Sequence, residues 1–139
     1  MTGTERNKML SAARDAVLSA LPDSCAIYVY GSFARGDEWP DSDMDIGVLL
    51  PPGEQIPNLL SAMAEVSGTI KRDVDLVDLR RAGADLVHEV LKSGRSLYAR
   101  DPDEVIGWEA EQMTDYAAFN PRRADVVSLY LRDPLLPHP

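Results

Sequence analysis

The sequence predicts an α/β fold of the α+β kind, a small sheet of about four strands flanked by helices. Three observations predict it. Four short runs are rich in β-branched and aromatic residues, and the stretches between them carry helical periodicity. A length of 139 residues suits one domain that buries most of its unfolded surface, and not two with separate cores. Hydrophobic residues at 45% and charged residues at 27% are ordinary for a globular chain, which removes disordered and low-complexity classes.

Residues 5–21 place Met9, Ala13, Val17 and Leu21 four apart among Arg6, Lys8, Arg14 and Asp15, the pattern of an amphipathic helix ended by Pro22. "CAIYVY", residues 25–30, reads as a short buried strand stopping at Gly31, with Cys25 a small core residue. "SFARG" predicts one or two helical turns before the loop "DEWPDS", and residues 44–50 a second strand ended by "PPG". A helix is expected over 57–67, with Pro57 at its start and Leu59, Leu60, Met63 and Val66 on one side. "KRDVDLVDL", residues 71–79, alternates as a third strand, with Val74 and Leu76 on one face and Asp73, Asp75 and Val77 on the other. A helix over about 80–93 stopped by Gly94 leads to a short fourth strand at 96–99. From Asp103 on, two helical stretches separated at Asn120-Pro121 precede the proline-rich tail "PLLPHP". The core is thus expected over about 8–100, with a helical extension over about 103–133.

A formal net charge of −9 disfavours direct nucleic-acid binding, which is driven by Lys and Arg on phosphates. The single cysteine and an N-terminus without a basic-then-apolar order point to the cytoplasm. No apolar run approaches the ~20 residues of a membrane span.

The chemistry gathers around residues 31–45. Asp43 and Asp45 share one face of the second strand, roughly 7 Å apart at a rise of ~3.3 Å per residue. Carboxylates that close repel, and Asp is a poor strand former, so their place beside "IGVLL" points to a hard divalent cation. If the second and third strands are neighbours, Asp75 can complete a triad, and three carboxylates can hold two Mg²⁺ ions for an in-line phosphoryl displacement. Gly31-Ser32 stands where a strand ends and a short helix begins, a place where a phosphate can approach backbone N–H groups. Arg35, three residues on, can reach a triphosphate or anchor the acidic loop.

Plainer readings stand beside these. Asp43 and Asp45 can be edge charges that oppose aggregation. Asp73 shares the parity of Asp75, and Asp78 can cap the next helix. Ser32 can be a structural N-cap, and Arg35 a structural ion pair. His88 and His138 carry no assigned role. Trp108, Met113, Tyr116 and Phe119 read as packing for the last helices or as a partner surface.

"GSFARGDEWPDSDMD" fits the G-S-x10-D-x-D signature of the polymerase-beta-like nucleotidyltransferase superfamily, and "VDLVDL" resembles the strand that carries its third aspartate. The chain resembles the minimal nucleotidyltransferase (MNT) group that is paired with HEPN toxins in prokaryotes, over roughly residues 8–100. That resemblance implies a mixed sheet, ATP with two Mg²⁺ ions as cofactors, and transfer of AMP to a hydroxyl. It implies that Asp43 and Asp45 bind both metals, that Asp75 binds the catalytic metal and helps deprotonate the acceptor, and that Gly31, Ser32 and Arg35 serve the nucleotide. The acceptor it implies is a tyrosine of a cognate HEPN-type ribonuclease toxin, silenced by the modification. Only about 40 residues follow the fourth strand, so the acceptor is expected to supply much of its own positioning, as a docked protein does. Two other readings remain: an antitoxin that blocks the toxin without catalysis, and a small-molecule nucleotidyltransferase of the aminoglycoside type.

Overall fold

The computed structural model describes residues 2–39 and 41–119. The expected second C-terminal helix over 122–133 and the tail with His138 lie outside the described residues.

The chain runs α1 (Gly3–Ala20), β1 (Ala26–Tyr30), α2 (Ser32–Arg35), β2 (Met44–Leu49), α3 (Leu59–Ile70), β3 (Val74–Asp78), α4 (Ala84–Ser93), β4 (Arg95–Ala99) and α5 (Pro102–Phe119). The four strands form one sheet in the order β3-β2-β1-β4. β1 is antiparallel to both β2 and β4, while β2 and β3 are parallel, so the sheet is mixed. Parallel neighbours need a crossover, and α3 supplies it.

Strand periodicity divides the core between the two faces of the sheet. Ile27, Val29, Ile46, Val48, Val74 and Leu76 pack under α1 and α3 with Ala13, Val17, Ala62 and Val66. Ala26, Tyr28, Tyr30, Leu49 and Leu79 face α4 and α5, where Val87, Val90, Val105 and Trp108 cover them. β1 is central and buried throughout, which explains why "AIYVY" lacks alternation.

α1 begins earlier than its apolar stripe suggests, because Thr2 caps it: the Glu5 N–H donates to the Thr2 hydroxyl and the Thr2 N–H to the Glu5 carboxylate. α3 begins at Leu59, because Asn58 and not Pro57 organises its start; Asn58 Oδ1 accepts from the Ser61 N–H at 3.0 Å. Its buried stripe is Ala62 and Val66, and Leu60 is turned to solvent, against the expected apolar side. α4 begins at Ala84 and not near 80. Asp78 claims the preceding residues for a turn, accepting from the Arg80 N–H at 3.2 Å while its carbonyl accepts from Arg81. Asp78 therefore does not cap α4, whose N-cap is Gly83. The other Asp78 oxygen takes the Ile56 N–H at 3.2 Å and ties down the loop before α3.

α5 is fastened to the sheet by a bond that periodicity does not announce. The Tyr28 hydroxyl donates to Glu109 Oε1 at 2.6 Å, and burial together with that carboxylate drives the phenol pKa far up. Trp108 and Tyr116 are buried, in keeping with the packing role expected of them, and Tyr116 stacks on His88 of α4 with ring centroids 4.0 Å apart. Cys25 is buried, and burial raises its thiol pKa, as befits a core residue.

Candidate active site

All the acidic candidates gather at one end of the sheet, on the face that α4 and α5 cover only in part. In the parallel β2–β3 ladder Asp45 is the register partner of Asp75, and in the antiparallel β1–β2 ladder it is the partner of Tyr30. Register partners point to the same side, so Asp45 stands between Tyr30 and Asp75. Asp43 lies just before β2 and is exposed, Asp75 is exposed, and Asp45 is half-buried. Asp73 falls outside β3 and lends its carbonyl to the Met44 N–H at 2.9 Å, which sets the β2–β3 register. Of the three aspartates in "KRDVDLVDL", the register therefore brings Asp75 to Asp45.

Charge accumulates here. The Asp45 carboxyl is held above its ordinary range, first by burial and then by Asp75, Asp43 and Glu89, with Arg35 pulling the other way. Glu89, on α4, is a fourth carboxylate that the strand-based reading missed; a helix residue eleven positions beyond β3 offers no sequence signal of reaching this end of the sheet. Tyr30 was read only as strand. Burial, then Asp45, Asp75 and Glu89, push its phenol up to about 12, so it forms an uncharged floor beside Asp45.

Gly31 joins β1 to α2 with φ 70° and ψ −147°, a backbone region open essentially to glycine. A Cβ there would run into the Asp45 carboxylate. The turn after β1 is thus pressed onto Asp45, leaving its backbone bare on that side. Gly31 is also the N-cap of α2, and no side chain caps that turn. Ser32 is the first helical residue and not the N-cap, which removes the structural role considered for it. Arg35 Nε donates to Asp37 Oδ2 at 3.1 Å, so it anchors the acidic loop while contributing positive potential at Asp45.

The loop that delivers Asp43 is braced. Arg72 Nη1 donates to the Ser42 carbonyl at 2.8 Å, and the Arg72 guanidinium lies 5.0 Å over the Phe33 ring. One side chain thereby ties the residue before Asp43 to the residue after Ser32. Arg6 of α1 donates to Glu38 Oε1 at 2.6 Å; the Glu38 side chain is only 3% exposed. Burial alone would raise the Glu38 pKa, but the Arg6 bond and the residue's own backbone N–H outweigh it and hold the carboxyl below its usual range.

The donor set fits a hard divalent cation. It is all oxygen, and its carboxylates repel one another: after burial, the charges of Asp75, Asp43 and Glu89 are what raise the Asp45 pKa. Among the described residues no three acidic, His or Cys side chains are already drawn together tightly enough to enclose an ion. Among the described residues, too, no helix is long and apolar enough to cross a membrane.

Comparison with known proteins agrees with this fold. Residues 16–103 match the family described as Polymerase beta, Nucleotidyltransferase. The protein adenylyltransferase MntA of Shewanella oneidensis is 30% identical over 106 residues, which cover 75% of this chain and 72% of that protein. Among solved structures, a toxin-antitoxin with AMP-PNP superposes with a TM-score of 0.67 at 25% identity, over 91% of this chain and 98% of the other. A structure of tri-AMPylated S. oneidensis HEPN toxin in complex with MNT antitoxin shares the fold, with a TM-score of 0.62 at 24% identity, over 94% of this chain and 99% of the other.

Proposed function

This chain belongs to the polymerase beta nucleotidyltransferase family, and on that premise we propose that it transfers AMP from ATP to a hydroxyl of a cognate HEPN-type ribonuclease toxin, most simply a tyrosine, and so serves as its antitoxin. The observation that carries this reading is the pairing of Asp45 with Asp75 directly beneath the Gly31 turn. It sets an acidic cluster against bare backbone, which is what a nucleotide with its cations requires. The relative named for protein adenylylation and the structural likeness to an AMP-PNP complex support the choice of ATP and of a protein acceptor.

The acceptor oxygen attacks the α-phosphorus, the bond to the bridging oxygen breaks, pyrophosphate leaves, and the hydroxyl proton is given up. Asp43, Asp45 and Asp75 would hold two Mg²⁺ ions, which supply charge neutralisation at the attacking and leaving oxygens. Asp75, the exposed outer member, takes the acceptor's proton and passes it to water. Asp45, set deeper beside the neutral Tyr30, keeps its carboxylate fixed by the strand register. The Gly31-Ser32 turn offers N–H groups and a hydroxyl to phosphate oxygens, and Arg35 adds positive charge at the same end. The Arg72 and Arg6 braces hold the Asp43 segment so that little order is lost when the nucleotide binds.

The test is co-expression with a candidate HEPN-type toxin. Mass spectrometry should find an AMP adduct on that protein, and the Asp43→Asn, Asp45→Asn double variant should lose it. Undiminished labelling would refute the catalytic assignment. A double variant that stays folded, stays bound and still protects cells would establish neutralisation by binding.

A further inference from the structure

We propose that Trp39 is the anchor by which the acceptor protein docks beside the aspartate cluster, inserting into a basic surface that offers an Arg or Lys to the indole face. This rests on the AMP-transfer reading. Trp39 is 76% exposed, whereas Trp108 is buried. A lone exposed hydrophobic residue is ordinary, and Leu60 at 77% on the first turn of α3 is such a case. What sets Trp39 apart is the set of polar contacts that hold the residues on either side of it.

That segment is fixed from several sides. Before Trp39, Arg35 holds Asp37, and Arg6 holds the buried Glu38. After it, the Trp39 N–H donates to Ser42 Oγ at 2.6 Å and the Ser42 N–H to the Trp39 carbonyl at 3.0 Å, which closes a turn. The Ser42 carbonyl is in turn held by Arg72. An unused loop tip has no need of a part-buried ion pair and a guanidinium clamp. An anchor has, because ordering a contact loop in advance removes the entropy that binding would otherwise lose. Trp is also the residue type most enriched among interface positions that dominate affinity.

Position and charge name the occupant. The Trp39 backbone is bonded to Ser42, immediately before Asp43, so the exposed indole belongs to the same short loop that delivers the first aspartate of the cluster. Asp41 and Asp43, both exposed, follow Trp39 within four residues, in a chain of net charge −9. A cationic surface is complementary to both features: its charges meet the carboxylates, and a guanidinium or ammonium meets the ring quadrupole.

The experiment uses the full chain, the HEPN-type toxin that the AMP-transfer test identifies as its acceptor or binding partner, and AMP-PNP with Mg²⁺. Trp39→Ala should raise the KM and Kd for that protein about 10-fold or more while kcat at saturation and AMP-PNP affinity stay within about 2-fold, and Trp39→Phe should recover part of the loss. Emission of the wild-type chain should shift to the blue, and iodide quenching should fall, when the protein is added; Trp39→Phe should lack both changes. An unchanged Kd and KM in Trp39→Ala overturns the proposal. So does a fall in AMP-PNP affinity, which would make the indole a platform for the base. Because binding is read separately from transfer, a wild-type chain that binds through Trp39 yet transfers no AMP defeats the catalytic reading and leaves the docking site standing.

Discussion

Gly31→Ala probes the junction of the turn and the cluster most directly. Two costs add. Forcing a residue with a Cβ into φ 70°, ψ −147° costs about 1–3 kcal/mol. The new methyl also overlaps the Asp45 carboxylate, and such overpacking costs typically ~1–3 kcal/mol. The expected loss is therefore about 2–6 kcal/mol, read as a drop in the urea midpoint at unchanged slope. Gly53→Ala is the control. Its φ is also positive, at 83°, but nothing lies within 4 Å of a Cβ there, so only the backbone cost of about 1–2 kcal/mol remains. Adding Asp45→Ala to Gly31→Ala removes the overlap and should return ~1–2 kcal/mol, a coupling that a double-mutant cycle isolates. AMP-PNP binding should weaken in Gly31→Ala and be unaffected in Gly53→Ala. A Gly31→Ala protein that loses no more stability than Gly53→Ala would refute the claim that this turn is pressed onto Asp45.

Other outcomes follow from the same contacts. The Asp45 pKa is raised on folding, so its contribution to stability is full below the ordinary carboxylate range and is lost as pH rises through the raised value. Melts from about pH 4 to 7 without divalent cation should show that loss in the wild type and less of it in Asp45→Asn. Mg²⁺ should stabilise the wild type more as pH rises, because protons and cation compete for the same carboxylates, and Asp45→Asn should show little of this effect. Tyr28→Phe leaves the Glu109 carboxylate without its donor and should cost about 1–2 kcal/mol in urea denaturation. Arg72→Ala removes the Ser42 bond and the stack on Phe33; about 1–2 kcal/mol of stability and a fall in AMP transfer are expected, with Lys at that position recovering little because it lacks the planar fork.

The order of helices and strands was legible because each leaves a local signature: β-branched runs for the strands, four-residue spacing for α1, and Gly or Pro at most breaks. G-S-x10-D-x-D was legible for the same reason, since the turn, the loop and the paired aspartates are contiguous. Element starts were less so. Side chains of Thr2, Asn58 and Asp78 set them, and capping competes with periodicity over single residues that can act either way.

What local pattern could not contain is which strands lie side by side. "KRDVDLVDL" offers three aspartates, and the choice among them is made by a parallel ladder between segments some thirty residues apart, through the Asp73 carbonyl on the Met44 N–H and Asp75 opposite Asp45. Glu89 reaches the cluster only because α4 packs back across that sheet face, and Arg6 and Arg72 reach the Asp43 loop from α1 and from the end of α3. Side-chain type and spacing travel along the chain, so they fixed the kind of chemistry this protein can hold. Proximity between distant segments arises from burying both faces of the sheet at once, so which carboxylates stand together, the charge they share and the contacts on either side of Trp39 were decided by packing.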